Sequence, residues 1–283
     1  MYYATLTQVR QYLKLDTAET GDDTLLTNFI AYACKYAELR AGVLFHPLNT
    51  TLYFDVPMGE KLQFDDSLLA LTSVTNGDSE VITLTDILYY PASLYPKYGI
   101  AIKPSASLSW VGDGSGNNEQ VIALAGVWGY HDDYSNAWVS SSDAVADALG
   151  LNASVTTINV TSAAGIASDL QSPRFQAGQL IKIDSEYIDI ISISTNALTV
   201  KRGMYGSTAA VHATAAPITI WRPMGNITFA VLRLVAWRYR QKDANIFDTQ
   251  TILGAGVKVT PSAVPPDVDA LIPELIHLVY SQT

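Results

Sequence analysis

The sequence predicts an α+β protein: a helical core of two N-terminal helices plus a long C-terminal helix, with β-strand segments and an inserted small β module. Three observations predict it. Residues 226–242, NITFAVLRLVAWRYRQK, carry the clearest helical period in the chain. Two shorter helical patterns precede Gly42. From about residue 151 to 221 the composition turns to Thr, Ile, Val, Ser and Ala, a mixture that favours strands. At 283 residues the chain can hold one large domain or two modest ones, and 48% hydrophobic residues can bury a substantial core.

Thr5 and Gln8 have capping-box spacing, and Leu6, Val9, Tyr12 and Leu13 give a short amphipathic helix. Thr20, Gly21, Asp22 and Asp23 break it. A longer helix is expected over 24–41, with Leu25, Leu26, Phe29, Ile30, Ala33 and Ala37 on one face and Gly42 as its stop. Cys34 falls in this apolar pattern. As the only cysteine it allows no intrachain disulfide and no cysteine-based zinc site, and it reads as a small buried hydrophobe. Pro47 turns the chain into an extended segment over 49–56.

Strands are then expected to about Gly129. Segments 71–75 and 80–84 flank Asn76 and Gly77, a strong hairpin signal. Pro91, Pro96 and Pro104 confine the next segments to edges and loops. The glycine cluster at 112–118 lacks the lysine and the following helix of a phosphate-binding loop. A strand follows at 120–128. Residues 144–149 read as a short helical piece. Strands are expected at 156–161, 179–183, 187–192 and 197–201, with turns at 184–186 and 194–196. Because the helical elements on either side belong together, 141–221 reads as a β-rich insert into a domain made of 1–140 and 222–283.

In the 226–242 helix, Ile227, Ala230, Val231, Leu234 and Val235 form one ridge, and Phe229, Leu232, Ala236 and Tyr239 a second. Two apolar ridges need two packing partners, either in a deep core or on another subunit. The last turns hold Arg233, Arg238, Arg240 and Lys242, four of the 17 basic residues. Cations there suit the helix macrodipole or a partner-facing basic end. Beyond Lys242, glycines and prolines rule out a long helix, though Pro266 can open a short one. The apolar segment 271–278 needs a surface to dock on.

Net charge is −10, which argues against a general grip on nucleic acid. No apolar run approaches the roughly 20 residues of a membrane helix, and the N-terminus lacks a signal-peptide layout, so a soluble protein made in the cytoplasm is expected. His46, His131, His212 and His277 sit in separate segments with no local metal motif. Asp132 and Asp133 beside His131 suit a turn. Asp184, Glu186 and Asp189 suit edge-strand charge better than a glycosidase carboxylate pair. No nucleophile elbow occurs. No catalytic residue, cofactor or metal ligand is predicted, and the chain is expected not to be an enzyme.

Three separated stretches together resemble one family. The first runs from Leu6 through Asp22, Leu25 and Leu26 to the helix around Cys34 and Arg40, then past Pro47 to Thr51, Tyr53 and Asp55. The second is Val127, Trp128, Gly129, Tyr130 and His131. The third is residues 227–240, with its Leu-Val-Ala-Trp centre and basic end. They are similar to the head–tail connector (adaptor, or head-completion) proteins of tailed bacteriophages. The insert resembles a β module that recurs in phage structural proteins, through residues 175–186, 198–203 and 205–213. The resemblance implies a helical connector core. It also implies a homo-oligomeric, typically dodecameric ring seated beneath the portal protein at the virion's head–tail junction. The ring would bind a downstream neck or tail protein and let double-stranded DNA pass through its lumen without sequence-specific binding. Carboxylates lining such a lumen would hold DNA off at a range set by a Debye length of about 8 Å. No membrane contact is implied.

On this resemblance the residues to watch are interface candidates: Arg233, Trp237, Arg238, Tyr239 and Arg240, with Leu271, Ile272, Leu275 and Leu278 as a docking segment. The competing expectation is a tail-associated carbohydrate- or receptor-binding structural protein, in which Tyr130, Tyr134 and Trp138 stack on sugars.

Overall fold

The structure, a computed structural model, describes residues 1–16, 18–244, 250–252, 257–259 and 264–273. Strands β1 (Leu48–Phe54), β2 (Lys61–Thr75), β3 (Val81–Ile82), β4 (Ile87–Tyr90), β5 (Lys97–Ile102) and β6 (Ile122–Trp128) build one antiparallel sheet. Its order is β1-β6-β2-β5-β4, with β3 paired to the end of β2. A second antiparallel sheet takes β7 (Trp138–Ala144), β8 (Thr157–Asn159), β9 (Leu180–Ile183), β10 (Glu186–Ser194), β11 (Ala197–Lys201) and β12 (Pro217–Trp221), in the order β7-β12-β9-β10-β11-β8. β13 (Gln250–Ile252) and β14 (Val257–Val259) form a separate pair.

This architecture overturns the predicted fold class. The chain is mostly β, two six-stranded antiparallel sheets, rather than an α+β protein organised on a helical connector core. The main cause is β2. Only 71–75 read as a strand, because Asp65 and Asp66 interrupt the alternation of apolar residues. The ladder absorbs them: its register against β5 shifts between Gln63 and Leu68, so the strand bulges and continues. The prolines misled in the same direction. β4, ending just before Pro91, is an edge strand, but β5, flanked by Pro96 and Pro104, lies inside the sheet between β2 and β4.

The helical piece expected at 144–149 is also absent. Ala144 ends β7, and the Asp143 carboxylate accepts the N–H groups of Ala144 (2.8 Å), Thr161 (3.1 Å) and Ser162 (2.9 Å). Ala146 N–H donates to Asn159 O at 2.8 Å. Backbone and side-chain partners across the sheet outcompete the local helical bonds.

Four α-helices occur among the described residues: α1 (Leu6–Leu13), α2 (Asp23–Ala41), α3 (Gly225–Ala244) and α4 (Pro266–Leu271). Their ends follow the sequence signals. Gln8 N–H donates to Thr5 Oγ1 and Thr5 N–H to Gln8 Oε1, a closed capping box. Gly42 ends α2 at φ 73°, left-handed, and donates to Glu38 O at 2.8 Å. Pro266 stands in the first turn of α4. All four helices share one core, which includes Val9, Leu26, Ile30, Phe45, Ile227, Val231, Leu234, Val268 and Ile272.

Each sheet has its own apolar core. Phe64, Leu68, Ile100, Ile122, Leu124 and Trp128 fill the first; Ile158, Phe175, Ile181, Ile183, Ile188 and Ile218 fill the second. A seam of Leu69, Val127, Leu180, Tyr187 and Trp221 joins them. Trp221, fully buried there, donates its indole N–H to Phe45 O at 3.2 Å and so ties the seam to the helical core.

Candidate functional site

The polar residues in the second sheet converge. Arg202 donates from Nε and Nη2 to the two oxygens of Glu186, at 2.6 and 2.7 Å. The same guanidinium donates to Asn152 O, Val155 O and Ala210 O, tying two loops to β10. Gly203 N–H and Ala210 N–H donate to Glu186, each at 3.0 Å. His212 sets Nε2 against Glu186 Oε2 at 2.8 Å and Nδ1 against Asp184 Oδ2 at 2.7 Å. Glu186 is 1% exposed and His212 2%. Burial alone would raise the Glu186 carboxyl. Hydrogen bonds from Arg202, Ala210, His212 and Gly203 outweigh burial and hold it at about 2.

This corrects the expectation of edge-strand charge for Asp184, Glu186 and Asp189. β10 lies between β9 and β11, and Glu186 and Asp189 are buried. Glu186 has its acceptor sites filled by protein donors, an arrangement that fixes loops and leaves no base for a substrate proton. Asp189 instead accepts from the Tyr205 hydroxyl at 2.8 Å and the Met1 amine at 2.9 Å. Sequence separations of 16 and 26 residues hid the cluster. The usable signal was a Glu, an Arg and a His in runs otherwise Ile-, Val- and Ala-rich.

His131, His46 and Cys34 are packed as structure. His131 is buried, accepts Asp133 N–H on Nδ1 at 3.0 Å and places Nε2 3.1 Å from Arg222 O. Burial lowers the pKa of both His131 and His46. Cys34 accepts Tyr3 N–H at 3.2 Å, and burial pushes its thiol up to about 12, the small hydrophobe that the pattern implied. Among the described residues no group of His, Cys, Asp and Glu is arranged to hold a metal ion. No helix among them is long and apolar enough to cross a membrane.

The aromatic residues named for sugar stacking are engaged by protein. Tyr130 packs edge-on to Phe45 at 6.0 Å, Tyr134 on Tyr95 at 5.7 Å, and Trp138 stacks on Tyr187 at 5.4 Å.

On α3, the interface candidates divide. Ile227, Ala230, Val231, Leu234 and Val235 are buried in the chain's own helical core. The second ridge is partly open: Phe229 is 45% exposed, paired with Tyr12 at 6.1 Å. Arg233 pairs with Asp267 at 2.6 Å. Arg238 lies over the Tyr32 ring at 5.4 Å. Tyr239 donates to Asp22 at 2.7 Å. Trp237 packs on the helical core with its indole N–H buried and unpartnered among the described residues. Arg240 is exposed and forms no ion pair among them. Leu271 and Ile272 pack on the helical core. Leu275 and Leu278 lie outside the described residues.

Two surface grooves remain. One, of about 310 Å³, lies between α1, α3 and the second sheet, lined among others by Thr5, Gln8, Gln171, Arg222, Phe229 and Leu232. The other, of about 390 Å³, lies between the C-terminal end of α2 and the first sheet. Leu39, Val43, Leu44, Leu48 and Leu52 give it apolar walls; Asp65, Asp66 and Ser67 line it too.

No protein-family model matches the chain, and no curated protein matches it.

Proposed function

We propose that the chain is a non-enzymatic virion structural protein of a tailed bacteriophage, a head–tail connector (adaptor). In this reading copies form a homo-oligomeric ring beneath the portal protein, extend the DNA channel and offer a platform to the next neck or tail protein. One observation carries the reading. Parts of the three stretches that resemble connectors, far apart in sequence, meet in a single core: α1, α2 and Phe45 of the first, Tyr130 of the second, and α3 pack together. Partial exposure of the second ridge of α3 at Phe229 leaves apolar surface for a neighbouring copy. A net charge of −10 suits a wall past which DNA slides without sticking.

The competing reading, a tail-associated carbohydrate- or receptor-binding protein, needs an aromatic platform. Its three rings are packed against Phe45, Tyr95 and Tyr187.

The test is the mass of the purified protein, alone and mixed with a portal ring. The expected result is a large ring, formed alone or on the portal. A compact trimer that ignores the portal and binds glycans would overturn the reading.

A further inference from the structure

The two ends of α2 differ in charge. At its N-terminal end sits the basic C-terminal end of α3: Tyr239 and Lys242 both donate to Asp22, at 2.7 and 2.8 Å. Arg238 stacks over Tyr32, at the middle of α2, and Arg240 is exposed with no ion pair among the described residues. At the other end, Leu39 and Gly42 wall the 390 Å³ groove. The cations nearest it on α2 are already paired: Lys35 with Glu38 at 2.9 Å, and Arg40 with Asp269 at 3.7 Å. Asp65 and Asp66 are exposed on the bulge of β2 with no ion pair among the described residues.

The groove therefore presents apolar walls and two exposed carboxylates. Leu39, 72% exposed, stands at its rim. That combination suits an arginine, whose methylene stem covers apolar surface while its guanidinium forks onto carboxylates. A helix of 19 residues separates the groove from the basic end by about 28 Å.

We propose that these two ends meet between copies of this chain: Arg240 enters the groove of the next copy and faces its Asp65 and Asp66. The contact uses two different patches on each copy, so it is head-to-tail and propagates to a closed ring or a filament. It deepens the connector reading and rests on it only for ring closure; the pairing stands on charge and shape.

The experiment is sedimentation velocity of the full chain across a concentration series, at low and high salt. Wild type should associate, more weakly as salt rises. Arg240→Glu, and the double variant Asp65→Arg with Asp66→Arg, should each shift the association midpoint at least about tenfold upward. All three side chains are exposed, so the melting curves should not move. An equimolar mixture of the two variants should associate again, because every contact then joins opposite charges. Association unchanged in both variants would overturn this pairing and leave the ring reading intact. A chain that stays monomeric at every concentration would also overturn it; the groove would then belong to a basic segment of another protein, and the ring reading would rest on the portal mixture.

Discussion

The two sheets have the same strand number and the same antiparallel pairing, yet they are held by different forces. The first is fastened by length and apolar packing. β2 spans 15 residues and pairs with β3, β5 and β6, and its core is Leu, Ile, Val, Phe and Trp. The second has short strands, four residues in β9 and three in β8, joined by longer loops. There the loops are clamped by polar side chains: Arg202 pairs with Glu186, His212 sets Nε2 against the same carboxylate, and Arg174 pairs with Asp143 at 3.2 Å. The lesson is that short strands with long connections gain directional anchors from buried charge, beside an apolar core of their own.

The hardest test of that contrast is Arg202→Ala. It leaves Glu186 buried without its guanidinium partner, and should cost about 3–5 kcal/mol in a denaturant titration. A loss under about 1 kcal/mol would mean the clamp is not what fastens the second sheet. Leu124→Ala, a purely apolar truncation in the first sheet, should cost about 2–5 kcal/mol through transfer and cavity terms.

Acid should separate the regions in stages, with a smaller effect. His46 and His131 are lowered below their ordinary 6.5 by burial, so the stability they carry is present above 6.5 and lost as pH falls through their folded values. Glu186, held at about 2 against an ordinary 4.5, contributes stability present above 4.5 and lost as pH falls through about 2. Tryptophan fluorescence near Trp221 should therefore change before hydrogen exchange rises in β10. The reverse order would sink the assignment of the ion clamp to the second sheet.

At the seam, Gly206 has φ 76° and an added Cβ would run into Asn49 O of β1, so Gly206→Ala should lower the unfolding free energy by more than about 1 kcal/mol in a denaturant titration. Smallest of all, replacing both Asp65 and Asp66 by Asn should leave folding stability within about 0.5 kcal/mol, since both are exposed on a bulge.

Local signals carried the helices and most of the second sheet. Thr5 with Gln8, Gly42 and Pro266 each act within one turn of chain, so their meaning survives folding. Strands β8 to β11 fall close to the expected segments because they are rich in Ile, Leu and Val, and the one register shift, in β10 at Ile190, leaves the strand unbroken. The fold class was misread where geometry depends on a distant partner. A bulge hides β2's continuity, and β5 becomes interior only once β4 and β2 flank it. The Glu186 clamp was invisible for the same reason: its members meet only after two loops have closed.

The packing of α3 on α1 and α2 has a consequence for synthesis. About 180 residues separate the end of α2 from the start of α3. At typical elongation rates of 5–20 residues per second, the apolar face of α2 waits roughly 10–40 s before its cover emerges from the ribosome. Leu26, Ile30 and Ala33 must be shielded through that interval by transient contacts or a chaperone. A ribosome that stalls between β12 and α3 would release a chain whose two sheets can pair but whose helices stay sticky.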